Sequence, residues 1–375
     1  MLVHRSVEHD ARVRREARAL AESGREVVVV QLSGQPPSDQ LAAEPFRTVS
    51  AAPRRLRRRL PLKLHRVPEA LSLLRAARAC GPAIVHAHDV AMLPLAFGAG
   101  ADRVVYDSHE FATGVPYRSR AWAALVATIE RLLIRRADAV ITVSPGIAEL
   151  LQRRYRLAAA PTVLRNVPAL PTGARAPDLR RELGIGDAPL ILHQGAVARD
   201  RGCENLVRAL ALIDDAELLF LGAQGAYLEH LRRLADDLGL GGRVHAIPPV
   251  ALDELVAHTS QADVGVSLLE DTCLNHRMAL PNKVFEYIAA GLPVVTSRLP
   301  ELERLLAEHP VGVTVDSGDP ASIAAGVLAA LEMRGEALSD RIGRAAAELS
   351  WERERSELTK LYSAPPFAAI ERAER

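Results

Sequence analysis

The stretch Ala279-Leu-Pro-Asn-Lys-Val-Phe-Glu-Tyr-Ile-Ala-Ala-Gly-Leu-Pro-Val-Val-Thr-Ser297 decides the fold of the second half of this chain. Pro281 is favourable as a first helical residue, and Gly291 followed by Pro293 predicts the end of a short helix. The residues Pro-Val-Val-Thr-Ser that follow are typical of a buried parallel strand. Lys283 and Glu286 lie three residues apart at the helix start, so they are predicted to share one face.

A cation and a carboxylate at the rim of a sheet suit a nucleotide. The ammonium of Lys283 would neutralise phosphate, and the carboxylate of Glu286 would accept hydrogen bonds from ribose hydroxyls. The alternative is an ordinary solvated salt bridge on a surface helix. The flanking apolar residues favour burial of the helix ends against the ends of a sheet, where ligands bind in open α/β folds: Leu280, Val284, Phe285 and Ile288.

Short apolar runs alternate with helical stretches along the whole chain, which predicts parallel sheets with helices on both faces. The predicted strands lie in residues 26–31, 83–88, 103–107, 139–143, 190–195, 216–222, 244–247, 264–268 and 293–296. A length of 375 residues favours two domains. The Pro- and Ala-rich stretch 166–177 is predicted to be a linker. We therefore expect two doubly wound sheets, in domains 1–167 and 168–348, followed by a closing helix in 349–375.

The net charge of +1 conceals an asymmetry. Up to Val167 there are 26 basic and 15 acidic residues, which leaves 21 basic and 31 acidic residues for the remainder. The densest basic run is Arg54–Arg59, extended by Lys63, His65 and Arg66, and it predicts either attachment to an anionic membrane surface or a solvated loop. Nucleic acid is a poorer partner, because no aromatic residues are interleaved and the acidic half would repel phosphates.

The cysteine pattern predicts a reducing compartment, and the hydropathy predicts no membrane span. Cys80, Cys203 and Cys273 are scattered without a C-x-x-C spacing, so neither a disulfide framework nor a zinc site is predicted. No apolar run reaches the length of a membrane span, and no signal-peptide pattern is present at the start. We expect a cytoplasmic protein, with peripheral membrane attachment if the basic run serves that purpose.

A second candidate site is the loop His193-Gln-Gly-Ala-Val-Ala-Arg-Asp-Arg-Gly202, between a strand and a helix. A turn bounded by glycines at a helix N-terminus presents free backbone N–H groups to an anion. Arg199 and Arg201 add positive charge. A solvated turn without function is the alternative.

Taken together, these segments resemble retaining glycosyltransferase family 4, which has the two-domain GT-B fold, and the resemblance covers nearly the whole chain. It implies that Glu286 holds the nucleotide ribose and that Arg201 and Lys283 hold the diphosphate. Gly195, Arg199, Leu280 and Asn282 are the other donor-binding residues that the resemblance implies. The chain departs from the family pattern at Met278, where a glutamate that touches the sugar is usual, and at Ala196, where an arginine is usual.

The first domain is expected to bind the acceptor. His109 follows a predicted strand and resembles the family's active-site histidine, although a satisfied core histidine is the alternative reading. His88, Asp89 and Glu110 are the neighbouring acceptor-side candidates. A metal site is imaginable from the His-x-His pair of His86 and His88, but no third ligand stands at suitable spacing, so no metal is expected.

The family transfers a sugar from a nucleotide diphosphate with retention, across a cleft between the two domains. The chain contains no Asp-x-Asp, so we expect the leaving diphosphate to be held by Arg201, Lys283 and helix N-termini rather than by a bridging metal, with no cofactor. The expected donor is a UDP- or GDP-sugar, and the acceptor is a hydroxyl of a glycan, glycolipid or small metabolite. Three alternatives remain open: a nucleotide-sugar epimerase, a non-catalytic partner subunit and, least favoured, an oxidoreductase, since no Gly-x-Gly-x-x-Gly follows a strand.

Overall fold

The structure is a computed structural model, and it describes residues 1–8, 10–33, 35–52, 66–117, 119–170, 178–251 and 253–368. The basic run from Arg54 to His65 lies outside the described residues, and of its extension only the backbone of Arg66 is described. The membrane hypothesis built on that run therefore stays a prediction. Residues 171–177 of the predicted linker also lie outside this range.

The chain separates into two compact units. Unit 1 comprises residues 1–165 together with 354–375, and unit 2 comprises residues 166–353. The last helix, Trp351–Ser363, contains the point at which the chain leaves unit 2 and rejoins unit 1.

Unit 1 is built on a seven-stranded sheet in which every pair of neighbours is parallel. Its strands are β1 (Leu2–Val3), β2 (Val28–Leu32), β3 (Arg47–Ala51), β4 (Ile84–His88), β5 (Arg103–Ser108), β6 (Ala139–Thr142) and β7 (Thr162–Val163). Their spatial order is β3-β2-β1-β4-β5-β6-β7. The reversal of direction at β1 and β4 is the switch point at which doubly wound folds bind ligands.

The helices of unit 1 begin where polar side chains satisfy free backbone N–H groups. Asp10 accepts a hydrogen bond from the backbone of Val13, and Ser144 accepts one from the backbone of Ile147. The helices are α1 (Ala11–Glu22), α2 (Asp39–Ala42), α3 (Arg66–Ala79), α4 (Leu93–Gly98), α5 (Arg120–Leu133) and α6 (Pro145–Tyr155). Helix α4 contacts both α3 and α5.

Unit 2 is built on a six-stranded parallel sheet in the order β10-β9-β8-β11-β12-β13. Its strands are β8 (Leu190–Gln194), β9 (Glu217–Leu221), β10 (Val244–Ile247), β11 (Val264–Ser267), β12 (Val294–Ser297) and β13 (Gly312–Val315). Successive strand residues point to opposite faces, so Leu190 and Leu192 enter one buried apolar cluster while Ile191 enters the other. Both faces are covered, which explains the continuous apolar runs in the sequence.

The helices of unit 2 cover both faces of this sheet, and α16 completes the chain. The helices of unit 2 are α7 (Leu179–Leu183), α8 (Cys203–Leu210), α9 (Ala226–Asp237), α10 (Leu255–Thr259), α11 (Leu274–Arg277), α12 (Asn282–Ala289), α13 (Pro300–Glu308), α14 (Pro320–Glu332) and α15 (Glu336–Glu348). Most of α16 (Trp351–Ser363) belongs to unit 1. Helix α12 begins one residue later than predicted, because Pro281 is extended and caps the helix. The expected pair of doubly wound sheets is confirmed.

Candidate functional site

Helix α12 directs its two charged side chains to the carboxyl end of β8. The Nζ atom of Lys283 lies 3.2 Å from Nε2 of His193. One turn later, Oε2 of Glu286 accepts a hydrogen bond of 2.5 Å from Nε2 of Gln194. Because His193 and Gln194 are the last two residues of β8, the cation and the carboxylate lie side by side at the edge where α/β folds bind ligands.

Tyr287 fixes α12 against the sheet. Its hydroxyl accepts from the backbone N–H of Gln194 at 2.9 Å and donates to the carbonyl of Val266 at 3.1 Å. Its ring lies directly over Gly265, where an added Cβ would come within 2.2 Å of ring atom Cγ. The position of Lys283 and Glu286 therefore depends on an aromatic ring that only a glycine on β11 can accommodate.

Gln194 and Thr259 orient Glu286. The Oγ1 atom of Thr259 donates to Oε1 of Gln194 at 2.5 Å, which leaves the amide NH₂ group of Gln194 to donate to Glu286. This chain of hydrogen bonds is buried at Gln194 and Thr259. Gln194 lies within the candidate loop predicted from the sequence, but sequence reasoning gave a role to neither residue. Two polar residues, His193 and Gln194, at the end of an apolar strand are a signal that could have been used.

The loop after β8 brings a second cation to the same place. Gly195 has a φ of +86°, and its N–H donates to Leu221 at 2.7 Å. Arg199–Arg201 form one 3₁₀ turn, after which Gly202 adopts a φ of +61°. An added Cβ on Gly202 would lie 2.6 Å from Cβ of Leu268, so this loop packs tightly against the residue that follows β11.

Burial and neighbouring charge act together on Lys283. Burial lowers the pKa of Lys283 from 10.5 to about 8, and the positive charge of Arg201 acts in the same direction. Burial and the charge of Lys283 also lower the pKa of His193 well below its ordinary value, so the neutral imidazole can accept from the ammonium. Arg201 itself keeps 38% of its side chain exposed. Two cations thus converge on a region that an anion would stabilise.

The remaining donor-side candidates lie elsewhere. Arg199 is exposed and within electrostatic range of Glu204 rather than of Lys283. Asn282 is exposed at the first turn of α12. Leu280 belongs to the hydrophobic core, so any contact it makes with a donor would come from its backbone.

In unit 1, the ends of β4 and β5 carry a cluster of histidines around one aspartate. Oδ2 of Asp107 lies 2.7 Å from Nε2 of His109 and 3.2 Å from Nδ1 of His88. The rings of His86 and His88 stack with their centroids 4.4 Å apart. Nδ1 of His86 lies 2.9 Å from the hydroxyl of Tyr362 on α16, which ties the last helix to this cluster.

Two residues of α1 complete the cluster. Arg12 donates from Nη2 and Nε to the two carboxylate oxygens of Asp107, at 2.9 and 3.0 Å, and from Nη1 to the carbonyl of Leu164 at 2.8 Å. The same Nε lies 2.9 Å from Oε1 of Glu16. Sequence reasoning missed both residues. The sequence could have indicated them, because Arg12 and Glu16 lie four residues apart, beside the apolar side of α1.

The cluster holds His109 in its charged form. Burial alone would lower the pKa of His109, but the ion pair and hydrogen bond with Asp107 outweigh burial and raise it to about 9. Burial would likewise raise the pKa of Asp107, but Arg12 and His109 bring it well below its ordinary value. Burial raises the pKa of Glu16 to about 8 against the opposing charge of Arg12. His109, whose side chain is 20% exposed, therefore carries a positive charge at neutral pH.

The other acceptor-side candidates are placed differently. Oδ1 of Asp89 lies 3.9 Å from Nδ1 of His109, and Asp89 has a φ of +70° that is uncommon outside glycine. Glu110 is exposed, and its carbonyl accepts a hydrogen bond from Ser108.

The expectation that no third ligand accompanies His86 and His88 is wrong. Glu16, His86, His88 and Asp107 each offer a ligand atom, and these atoms lie within 4.8 Å of one another. Distant segments of the chain supply them, so sequence spacing could not predict the group. Arg12 already provides positive charge at 2.9 Å from both carboxylates, and a divalent ion here would be repelled by it. The absence of a bound metal stays a prediction.

The fold places the chain among GT-B proteins. Sucrose-phosphate synthase from Thermosynechococcus elongatus superposes with a TM-score of 0.76 at 22% identity, covering 96% of this chain and 93% of that one. At this identity the likeness concerns the fold alone. Residues 11–166 match the family model Glycosyltransferase Family 4, and residues 188–333 match Glycosyl transferases group 1. The chain belongs to glycosyltransferase family 4.

Two curated relatives are 28% and 33% identical to this chain over the residues that align. A GDP-mannose-dependent alpha-(1-6)-phosphatidylinositol monomannoside mannosyltransferase of Mycolicibacterium smegmatis is 28% identical over 251 residues, 62% of this chain and 62% of that protein. A D-inositol 3-phosphate glycosyltransferase of Geodermatophilus obscurus is 33% identical over 198 residues, 49% of this chain and 42% of that protein. The chain thus spans less than two thirds of the length of these relatives.

Across the described residues, no helix combines the length and the apolar character that a bilayer crossing requires.

Proposed function

We propose that this chain is a retaining glycosyltransferase that moves a sugar from a UDP- or GDP-linked donor to a hydroxyl acceptor. The single observation that carries the proposal is the convergence of Lys283, Arg201 and Glu286 on the carboxyl end of β8. Two cations suit a diphosphate, and a carboxylate beside them suits the hydroxyls of the adjoining ribose. The curated relatives, both glycosyltransferases by name, support the same reaction class.

Departure of the nucleotide is the step that these residues would assist. Negative charge develops on the diphosphate as the glycosidic bond breaks, and preorganised cations in a partly buried site stabilise that charge. Lys283 is preorganised by His193, which accepts from its ammonium. Removing one such group costs about 3 kcal/mol in the barrier at comparable sites. We propose that these cations act without a metal-bridged diphosphate, since the sequence contains no Asp-x-Asp.

The stereochemistry that we propose is retention by front-face attack. Among the described residues we assign no carboxylate as an enzyme nucleophile, so the acceptor hydroxyl would attack within an ion pair while the departing phosphate takes its proton. The charged His109 is the group that we assign to the acceptor side, as a hydrogen-bond donor to the sugar or to the acceptor. Arg12 and Asp107 hold that charge in place.

Thermal shift with a panel of UDP- and GDP-sugars tests donor binding. A ligand that binds only the folded protein raises its stability with the logarithm of ligand concentration over Kd. Glu286→Ala should abolish the shift that the best donor gives, whereas Glu229→Ala, on the exposed side of α9, should not change it. If no donor shifts the wild type, the chain is not a nucleotide-sugar enzyme and a non-catalytic partner subunit becomes the better account.

Product analysis then tests transfer. With the best donor, a transferase releases nucleotide in proportion to glycosylated acceptor, with the anomeric configuration of the donor retained. Conversion of the donor to an isomeric sugar without acceptor would identify an epimerase instead. An inverted product would contradict the front-face mechanism while leaving donor binding intact.

A further inference from the structure

Helix α5 exposes apolar side chains to solvent on one side of unit 1. Trp122, Leu125 and Leu132 are 40%, 45% and 64% exposed. Their spacing of three and seven residues, with the half-buried Ile129 between them, aligns them along a single stripe about three turns long. The adjacent side of the helix is packed inward, since Val126 and Glu130 are buried. Apolar side chains exposed singly are ordinary on protein surfaces, whereas a row of them along one side of a helix indicates a binding surface.

The charges around the stripe are of one sign. Between Arg120 and Arg136 the sequence has four arginines and a single acidic residue, Glu130. That glutamate is internal, because its carboxylate accepts from the hydroxyls of Tyr106 at 2.8 Å and Tyr155 at 2.6 Å. Arg120 and Arg131 are exposed. The surface of α5 therefore combines apolar side chains with positive charge and presents no negative charge of its own.

The neighbouring helix α3 extends the same character. Val67 and Leu71, one turn apart, are 55% and 46% exposed, and Arg75 follows on the same side. Both α3 and α5 contact α4, so the three helices lie on one face of the sheet. Helix α3 therefore carries a second group of exposed apolar and basic side chains.

We infer that the exposed face of α5, defined by Arg120, Trp122, Leu125, Arg131 and Leu132, docks on an anionic lipid bilayer. An amphipathic helix with arginines on its polar side and Trp and Leu on its apolar side lies in the interface, with its apolar face among the acyl chains and its basic groups near the phosphates. Tryptophan is enriched at the membrane–water interface, where its amphipathic ring lies at the level of the lipid headgroups. The inference is independent of the proposed transfer reaction and uses none of its residues.

Tryptophan fluorescence with vesicles tests the insertion directly. The chain has two tryptophans, Trp122 and Trp351, so Trp351→Phe leaves Trp122 as the reporter. With vesicles containing phosphatidylglycerol, its emission should shift to shorter wavelength, and brominated acyl chains should quench it. If the protein binds these vesicles without any change in Trp122 emission, another segment, such as the basic run Arg54–His65, carries the binding and the inference is wrong.

Matched substitutions locate the surface. Leu125→Glu and Leu132→Glu should each lower the partition coefficient on phosphatidylglycerol vesicles by about tenfold, because each loses acyl-chain burial and adds repulsion. Leu212→Glu, at a residue 56% exposed in unit 2, adds the same charge elsewhere and should leave binding nearly unchanged. Equal losses for all three variants would contradict the inference.

Size-exclusion chromatography without lipid separates a bilayer from a protein partner. The three glutamate variants change exposed residues, so they should fold and elute as the wild type does. If the wild type elutes as an oligomer that Leu132→Glu dissociates, the stripe is a protein interface, and the membrane assignment fails. Binding to phosphatidylcholine vesicles should be weaker than to phosphatidylglycerol vesicles, since the arginines would find no net negative surface there.

Discussion

Alkaline pH should release a proton from His109 and weaken unit 1. The ordinary pKa of histidine is 6.5, and Asp107, 2.7 Å away, raises that of His109 to about 9 although burial opposes the shift. The difference corresponds to about 3 kcal/mol, at about 1.4 kcal/mol per pH unit. Because the folded-state pKa lies above the unfolded value, this stabilisation is fully present below 6.5 and is lost as the pH rises through 9.

The comparison of wild type with His109→Gln isolates this contribution. Urea unfolding at about pH 6 and about pH 9.5 should show that the substitution costs about 3 kcal/mol more at the lower pH, where the wild type keeps its ion pair. Groups that titrate in both proteins, such as Lys283, contribute equally to both unfolding free energies, so their contributions largely cancel in the difference. In an NMR titration, Asp89→Asn should lower the midpoint of His109 only slightly, because Asp89 is 3.9 Å away. An equal cost of His109→Gln at both pH values, or a His109 midpoint near 6.5 in the wild type, would refute the reasoning.

Three further predictions concern unit 2. The affinity for UDP or GDP, measured by titration calorimetry, should fall about tenfold between about pH 7 and pH 9 as Lys283 loses its proton, whereas Lys283→Arg should bind with little dependence over this range. Gly202→Ala should lower the free energy of unfolding by about 2 kcal/mol or more, because φ is +61° and the added Cβ has no room, while Gly242→Ala, with open space around it, should have a small effect in the same urea measurement. Tyr287→Phe should cost about 2 kcal/mol, since the backbone N–H of Gln194 loses its buried acceptor, and unchanged urea stability would contradict this account of how α12 is held.

The strands that the sequence did not predict are mostly edge strands. All nine predicted strands are present, whereas β1, β3, β7 and β13 are not among them. The strands β3, β7 and β13 each lie at the end of a sheet, and β1 is an interior strand of only two residues. Residues of β3 and β13 are half-buried or exposed over most of their length, and β7 has only two residues. An edge strand is covered less completely than a central one, so it does not need the continuous apolar run on which the predictions were based.

For the candidate site, the sequence revealed local spacing but not tertiary partners. The adjacency of Lys283 and Glu286 follows from one helical turn, and it could be predicted. The pairing of Arg12 with Asp107 joins residues 95 positions apart, and that of Gln194 with Thr259 joins residues 65 apart. Such contacts depend on strand order and helix packing, which the pattern of a single sequence does not determine.

A crystal structure of the chain with GDP or UDP tests the central claim most directly. The account predicts that the nucleotide binds at the carboxyl end of β8, with Glu286 within hydrogen-bonding distance of the ribose hydroxyls and with Lys283 and Arg201 on the diphosphate. A nucleotide bound elsewhere in the molecule, with Glu286 still directed only to Gln194, would contradict it.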